Sequence, residues 1–200
     1  MPINDKLPVF KLYISDNETD DAEVNFVSLV DKPAIQRDFQ VFADAQRFDI
    51  QDEDQHIVTG PAMIPNAPIY RNDDNGQYYV VFEPETINKI AYRFFKKGYQ
   101  ANINIMHEQG SVATDSVFYE SWVVDRKKGK QPLAAFKDLP DGTWFLTAKI
   151  NDPEVWAKIK SGEYKGFSVE GLFDYKQVGA INEEEELLKA IGNIIKKIKD

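Results

Sequence analysis

Side chains from Val9 to Ile14 alternate, with Val9, Lys11 and Tyr13 set against Phe10, Leu12 and Ile14. This two-residue period predicts a half-buried strand. Val24 to Val30 is mostly apolar and predicts a second strand or an irregular apolar segment, stopped at Asp31-Lys-Pro33 because the residue before proline avoids helix. Further strands are predicted over 99–107, 117–124, 144–150 and 166–175, and the polar run Asn72 to Gly76 predicts a hairpin turn between Ile69-Tyr70 and Gln77 to Phe82. The stretch 38–48 has no clean period.

Two segments change to the helical period. Pro84 to Gly98 opens on proline and Glu85, carries Ile87, Ile90, Ala91, Phe94 and Phe95, and ends on Lys96, Lys97 and Gly98. Asp152-Pro-Glu154 caps a shorter helix with Val155, Trp156 and Ile159 on one face and Gly162 as its stop. A third amphipathic pattern begins at Asn182, with Glu183 to Glu186 at its start, Lys196, Lys197 and Lys199 at its end, and Leu187, Leu188, Ile191, Ile194, Ile195 and Ile198 along one face. Strands outnumber helices and most are joined by turns. An α+β fold follows, with a mainly antiparallel sheet or small β-barrel and two or three packed helices. The expected organisation is a body over 1–178, then a linker and C-terminal helix over 179–200. No βαβ alternation and no glycine-rich phosphate loop is present.

Composition narrows the chemistry. The 200 residues hold 24 Lys and Arg against 33 Asp and Glu, a formal charge of −9, which repels a phosphate backbone and argues against nucleic acid as a partner. With no Cys, thiolate zinc sites, disulfides and cysteine nucleophiles are excluded. No apolar run approaches the roughly 20 residues of a membrane span, so neither a membrane partner nor a signal peptide is expected. The acidic turn at 72–76 lacks the ligand alternation of a calcium loop.

A hydrolytic nucleophile in such a chain is most simply a serine activated by a histidine. Only His56 and His107 qualify. His56 follows a polar run typical of an exposed loop, whereas His107 ends a predicted strand and shares a face with Ile103 and Ile105. Ser168 lies between Gly166 and Gly171, where glycines permit close backbone approach. The surroundings are not the G-x-S-x-G elbow, because Glu170 holds its last glycine position. Three carboxylates could orient the imidazole. Glu120 shares a strand phase with Phe118, Trp122 and Val124 and is the first choice, Glu170 shares a phase with Ser168, and Asp115 lies near a turn. Taken one at a time, these residues read more simply as a surface or capping histidine and a serine on a strand with a glycine bulge.

Together the segments resemble a known family. Asn102 to His107 (NINIMH), Tyr119 to Trp122 (YESW), Gly142 to Trp144 (GTW) and Gly162 to Gly171 (GEYKGFSVEG) are similar to XkdF-type serine proteases of tailed phages and prophage elements, as are Phe26 to Ala34 and Glu83 to Ile87. That family is similar to prohead proteases of the herpesvirus assemblin type, which implies a small β-barrel ringed by helices. The resemblance implies Ser168 as nucleophile and His107 as base. The assemblin third member, a histidine after the serine, has no counterpart here, which leaves a carboxylate; Glu120 is assigned from strand phase alone.

The resemblance further implies a cofactor-free endopeptidase in the host cytoplasm, inside a procapsid, that cuts scaffold, capsid-protein extensions and itself. Residues 182–200 would then be an assembly or dimer helix, an autoprocessed linker, or a helix packed on its own body. Alternative readings are a non-catalytic assembly module of the same fold and a carbohydrate- or peptide-binding β domain. Metal hydrolysis lacks the second helical histidine beside His107-Glu108.

Overall fold

The computed structural model describes residues 7–16, 22–31, 48–73, 76–108 and 110–177. The C-terminal helix expected over 182–200 and nearly all of the aperiodic stretch 38–48 lie outside the described residues. In chain order the elements are β1 (Val9–Tyr13), β2 (Val24–Val30), β3 (Asp49–Asp52), β4 (Ile57–Met63), β5 (Ile69–Asp73), β6 (Gly76–Phe82), α1 (Pro84–Lys96), β7 (Ile103–Ile105), β8 (Ser116–Val123), β9 (Trp144–Ile150), α2 (Pro153–Lys160), β10 (Gly166–Gly171) and β11 (Asp174–Gln177).

Three sheets result, in the orders β11-β1-β6-β5, β10-β2-β7 and β3-β4-β9-β8. Most pairs are antiparallel; β1 with β6 and β2 with β7 are parallel. The mostly β, two-helix composition agrees with the sequence pattern. The expected closed barrel is not formed by these ladders: closure needs every edge paired in one continuous circuit, and among the described residues β5, β7, β8 and β10 each end a sheet.

The predicted Pro84 helix ends as expected, with Gly98 in the left-handed region at φ 78°. Its Ile87, Ile90, Ala91 and Phe94 are buried. Asp152 caps α2 by accepting from the backbone N–H groups of Glu154 and Val155 at 3.1 Å each. Two predicted strands are shorter than their patterns. The segment 99–107 opens with a 3₁₀ turn at Tyr99–Ala101 and keeps strand geometry only over Ile103–Ile105. The segment 166–175 divides at Gly171, after which β11 leaves to pair with β1 in another sheet.

That division has a steric cause. A Cβ on Gly171 would fall on the Glu23 carbonyl oxygen and 2.7 Å from Val24 Cα, so glycine alone permits this contact with the start of β2. The ladder to β2 shifts register at this point.

One hydrophobic core lies between the sheets and helices. An aromatic chain crosses it. Phe94 of α1 packs on Trp144 of β9 and Phe118 of β8, with ring centroids 5.6 and 6.3 Å apart, and Phe118 packs edge-on against Phe167 of β10 at 5.4 Å. Phe167 is the neighbour of Ser168, so core packing fixes the strand that carries this serine.

Candidate functional site

The sheet β10-β2-β7 is built from three short apolar-polar-apolar triplets: Val27-Ser28-Leu29, Ile103-Asn104-Ile105 and Phe167-Ser168-Val169. Alternation sends Val27, Leu29, Ile103 and Phe167 into the core. The register pairs Ser168 with Ser28 and Ser28 with Asn104, so the polar members form one row across the opposite face. Ser28, Asn104 and Ser168 are only 0%, 6% and 5% exposed. Buried polar groups of this kind must find partners within the row or above it.

Above the row stands His107. The chain turns back after Ile105, closed by a hydrogen bond from Glu108 N to Ile105 O at 2.9 Å. Met106 and His107 take φ values of 53° and 60°. Two positive φ values in succession describe a type I′ turn, which favours Asn-Gly; placing Met-His there stores backbone strain on the order of 1 kcal/mol or more per residue. The turn is held because Met106 N donates to Leu29 O at 3.0 Å and Ile105 N to Ser111 O at 2.8 Å. The expected strand phase for His107 is therefore corrected. The left-handed turn lifts the imidazole off the Ile103 and Ile105 face and lays it over the Asn104 side.

In this position His107 Nε2 is 3.1 Å from Ser168 Oγ. His107 Nδ1 is 3.2 Å from Glu170 Oε2 and 2.8 Å from Ser28 Oγ. Asn104 Nδ2 donates to Glu170 Oε2 at 2.7 Å, and Ser28 Oγ donates to Asn104 Oδ1. The His107 and Glu170 side chains are 39% and 40% exposed, so the imidazole and carboxylate form the open rim of a site whose serine is recessed. An alcohol, an imidazole and a carboxylate in this order can pass a proton from oxygen to ring nitrogen while the carboxylate steadies the second ring N–H.

Glu120 is not in this constellation. The ladder between β8 and β9 shifts between Phe118 and Glu120, with Tyr119 as the extra residue. This bulge reverses the side-chain phase: Phe118 stays in the core, whereas Glu120 pairs with Thr147 and accepts from Thr147 Oγ1 at 2.7 Å. Glu120 lines a separate cleft of about 410 Å³ with Thr59, Tyr119, Trp122, Leu133 and Thr147. Asp115 is exposed in a positive-φ turn before β8 and makes no hydrogen bond to His107. His56 is less exposed than its polar neighbours suggest. Its ring stacks on Trp156 at 4.6 Å and its Nδ1 meets Ile150 O at 3.1 Å, so its contacts are structural.

Ser28 and Asn104 have no counterpart among the sequence-based candidates. Each is a lone polar residue inside a short apolar run, a visible signal, but the strand pairing that makes them neighbours is not local.

Comparison with known proteins places these observations in a family context. Residues 44–176, about two thirds of the chain, match the family described as "Putative phage serine protease XkdF". The chain is 28% identical over 183 residues to Phage-like element PBSX protein XkdF of Bacillus subtilis (strain 168), covering 86% of this chain and 58% of that protein. It is also 28% identical over 187 residues to the Uncharacterized protein YqbD of the same organism, covering 88% and 53%. The chain thus spans a little over half the length of these curated relatives. No solved structure matches it.

Proposed function

We propose that this chain, which belongs to the family described as "Putative phage serine protease XkdF", is a serine endopeptidase with Ser168 as nucleophile, His107 as general base and Glu170 as the carboxylate that positions the imidazole. The observation carrying this reading is the 3.1 Å approach of Ser168 Oγ to His107 Nε2, inside the roughly 2.6–3.2 Å range required for direct proton transfer. Glu170 takes the place expected for Glu120.

In this reading the Ser168 hydroxyl proton passes to His107 Nε2 as Oγ bonds to the peptide carbonyl carbon. The imidazolium then returns that proton to the departing amine, the C–N bond breaks, and an ester on Ser168 remains. Water hydrolyses the ester by the same route in reverse, its proton passing through Nε2 back to Ser168. Glu170 accepts from Nδ1–H throughout and stabilises the ring while it is charged. No step needs a group beyond the chain and water.

The substrates in this reading are scaffold protein, capsid-protein extensions and the protease itself, cut inside a procapsid in a bacterial cell, and the body adopts a prohead-protease type of architecture. The similarity to a protein of a phage-like element supports this context. The test is incubation with the scaffold and capsid proteins of the same element, followed by mass spectrometry of the fragments. Wild type is expected to generate defined fragments and Ser168→Ala none. Equal processing by both, or none by either, overturns the reading; the second result favours a non-catalytic assembly module.

A further inference from the structure

Ser28 and Asn104 lie behind the imidazole, and the proton transfers described above do not use them. Ser28 Oγ is nearer to His107 Nδ1, at 2.8 Å, than is Glu170 Oε2, at 3.2 Å. Ser28 is completely buried, so no solvent competes for its hydroxyl. Asn104 bridges Ser28 and Glu170 through the two ends of its amide.

Counting hydrogens fixes the direction of every bond. A carboxylate oxygen only accepts, so Asn104 must present its NH₂ to Glu170, as the 2.7 Å contact from Nδ2 shows. The reverse orientation would set two acceptors against each other. The Asn104 carbonyl then faces Ser28, and since Oδ1 also only accepts, the single hydroxyl hydrogen of Ser28 is spent on it. Ser28 Oγ therefore meets His107 with a lone pair, and Glu170 Oε2 does the same from the rim. Two acceptors converging on Nδ1 require Nδ1–H. A neutral imidazole carries one N–H hydrogen, so Nε2 is left bare, and Nε2 is the nitrogen that faces Ser168 Oγ.

We infer that Ser28 and Asn104 are positioning residues that set the His107 tautomer with its basic nitrogen toward Ser168. The catalytic consequence rests on the serine-protease reading; the tautomer itself does not. Without Asn104, the Ser28 hydrogen would be free to turn to Nδ1 and compete there with Glu170 Oε2, which raises the share of the Nε2–H form that cannot accept the Ser168 proton.

The test is ¹⁵N NMR of the full chain labelled in histidine. Only two histidines are present, so a His56→Gln variant assigns both rings. At a pH where the ring is neutral, wild-type His107 is expected to show a protonated Nδ1 and a bare Nε2. Asn104→Leu, close to isosteric, is expected to move the ring toward Nε2–H and to slow fluorophosphonate labelling of Ser168 about tenfold, the equivalent of one hydrogen bond. Adding Ser28→Ala to Asn104→Leu removes the misdirected donor, and the Nδ1–H form is expected to return.

A wild-type ring found as Nε2–H overturns the inference without reference to any variant, as does an Asn104→Leu ring unchanged from wild type. If wild-type Ser168 is not labelled while Nδ1 is protonated, the protease reading fails and the tautomer assignment stands.

Discussion

At the scale of single residues, two glutamates that look alike in sequence have unrelated surroundings. Glu170 touches His107 and Asn104, whereas Glu120 touches Thr147 in another sheet. Glu170→Gln is therefore expected to slow fluorophosphonate labelling of Ser168 by about 10²-fold, since a neutral amide no longer stabilises the imidazolium and competes for the tautomer. Glu120→Gln is expected to leave that rate unchanged. A rate lost in Glu120→Gln and kept in Glu170→Gln would reverse the assignment. The phase shared by Ser168 and Glu170 is readable from the sequence. What sets Glu120 apart from its apparent phase is Tyr119, whose bulge turns a uniform strand phase over between Phe118 and Glu120. Nothing in the local pattern marks that position, because a bulge is decided by how β8 meets β9.

At the scale of elements, α1, α2, β9 and the β5–β6 hairpin follow their sequence patterns closely because their signals are local: prolines at first helical turns, an aspartate cap, a glycine in the left-handed region, a polar turn. Asp152 shows how such a signal is tied into the fold. Burial alone would push its carboxyl up. Hydrogen bonds from Val155, Thr114 and Glu154 outweigh this and hold it below the usual carboxylate range. Asp152→Ala is expected to cost about 1 kcal/mol at neutral pH, read as a lower urea midpoint.

The sign of its pH dependence follows from the lowered value. The contribution is complete above the unfolded-chain value of about 3.9 and is lost as pH falls through the lower folded-state value. Wild type and Asp152→Ala should thus differ in midpoint at pH 7 and converge in strong acid. A gap that widens in acid would refute this account. The strands β7 and β10 illustrate the opposite case. Their patterns run on past their ends, and only the Met106-His107 turn and the close approach at Gly171 stop them.

At the scale of the whole molecule, the site depends on an interior that joins all three of its strands to the rest of the body. Phe118 sits between the rings of Phe94 and Phe167 and is 1% exposed. Phe118→Ala is expected to cost about 3–5 kcal/mol, a large share of the roughly 5–15 kcal/mol that stabilises a typical domain. Urea unfolding measures it, and a loss below about 1 kcal/mol would show that the core does not brace β10 as described. Among the described residues no helix is long and apolar enough to cross a membrane.

The sequence by itself determined the periods of α1, α2, β9 and the β5–β6 hairpin, and that Ser28, Asn104 and Ser168 interrupt apolar runs. It also carried the family likeness. Only the tertiary structure decided that β10, β2 and β7 lie side by side in a register that lines up the three polar residues, that the His107 turn folds back over them, and that Glu170 is the carboxylate within reach. Periodicity is a property of neighbouring residues and is written along the chain. Strand partners, register and bulges are settled by hydrogen-bond ladders and packing between segments remote in the chain, as where Ser28 pairs with both Asn104 and Ser168, and no local pattern names the partner.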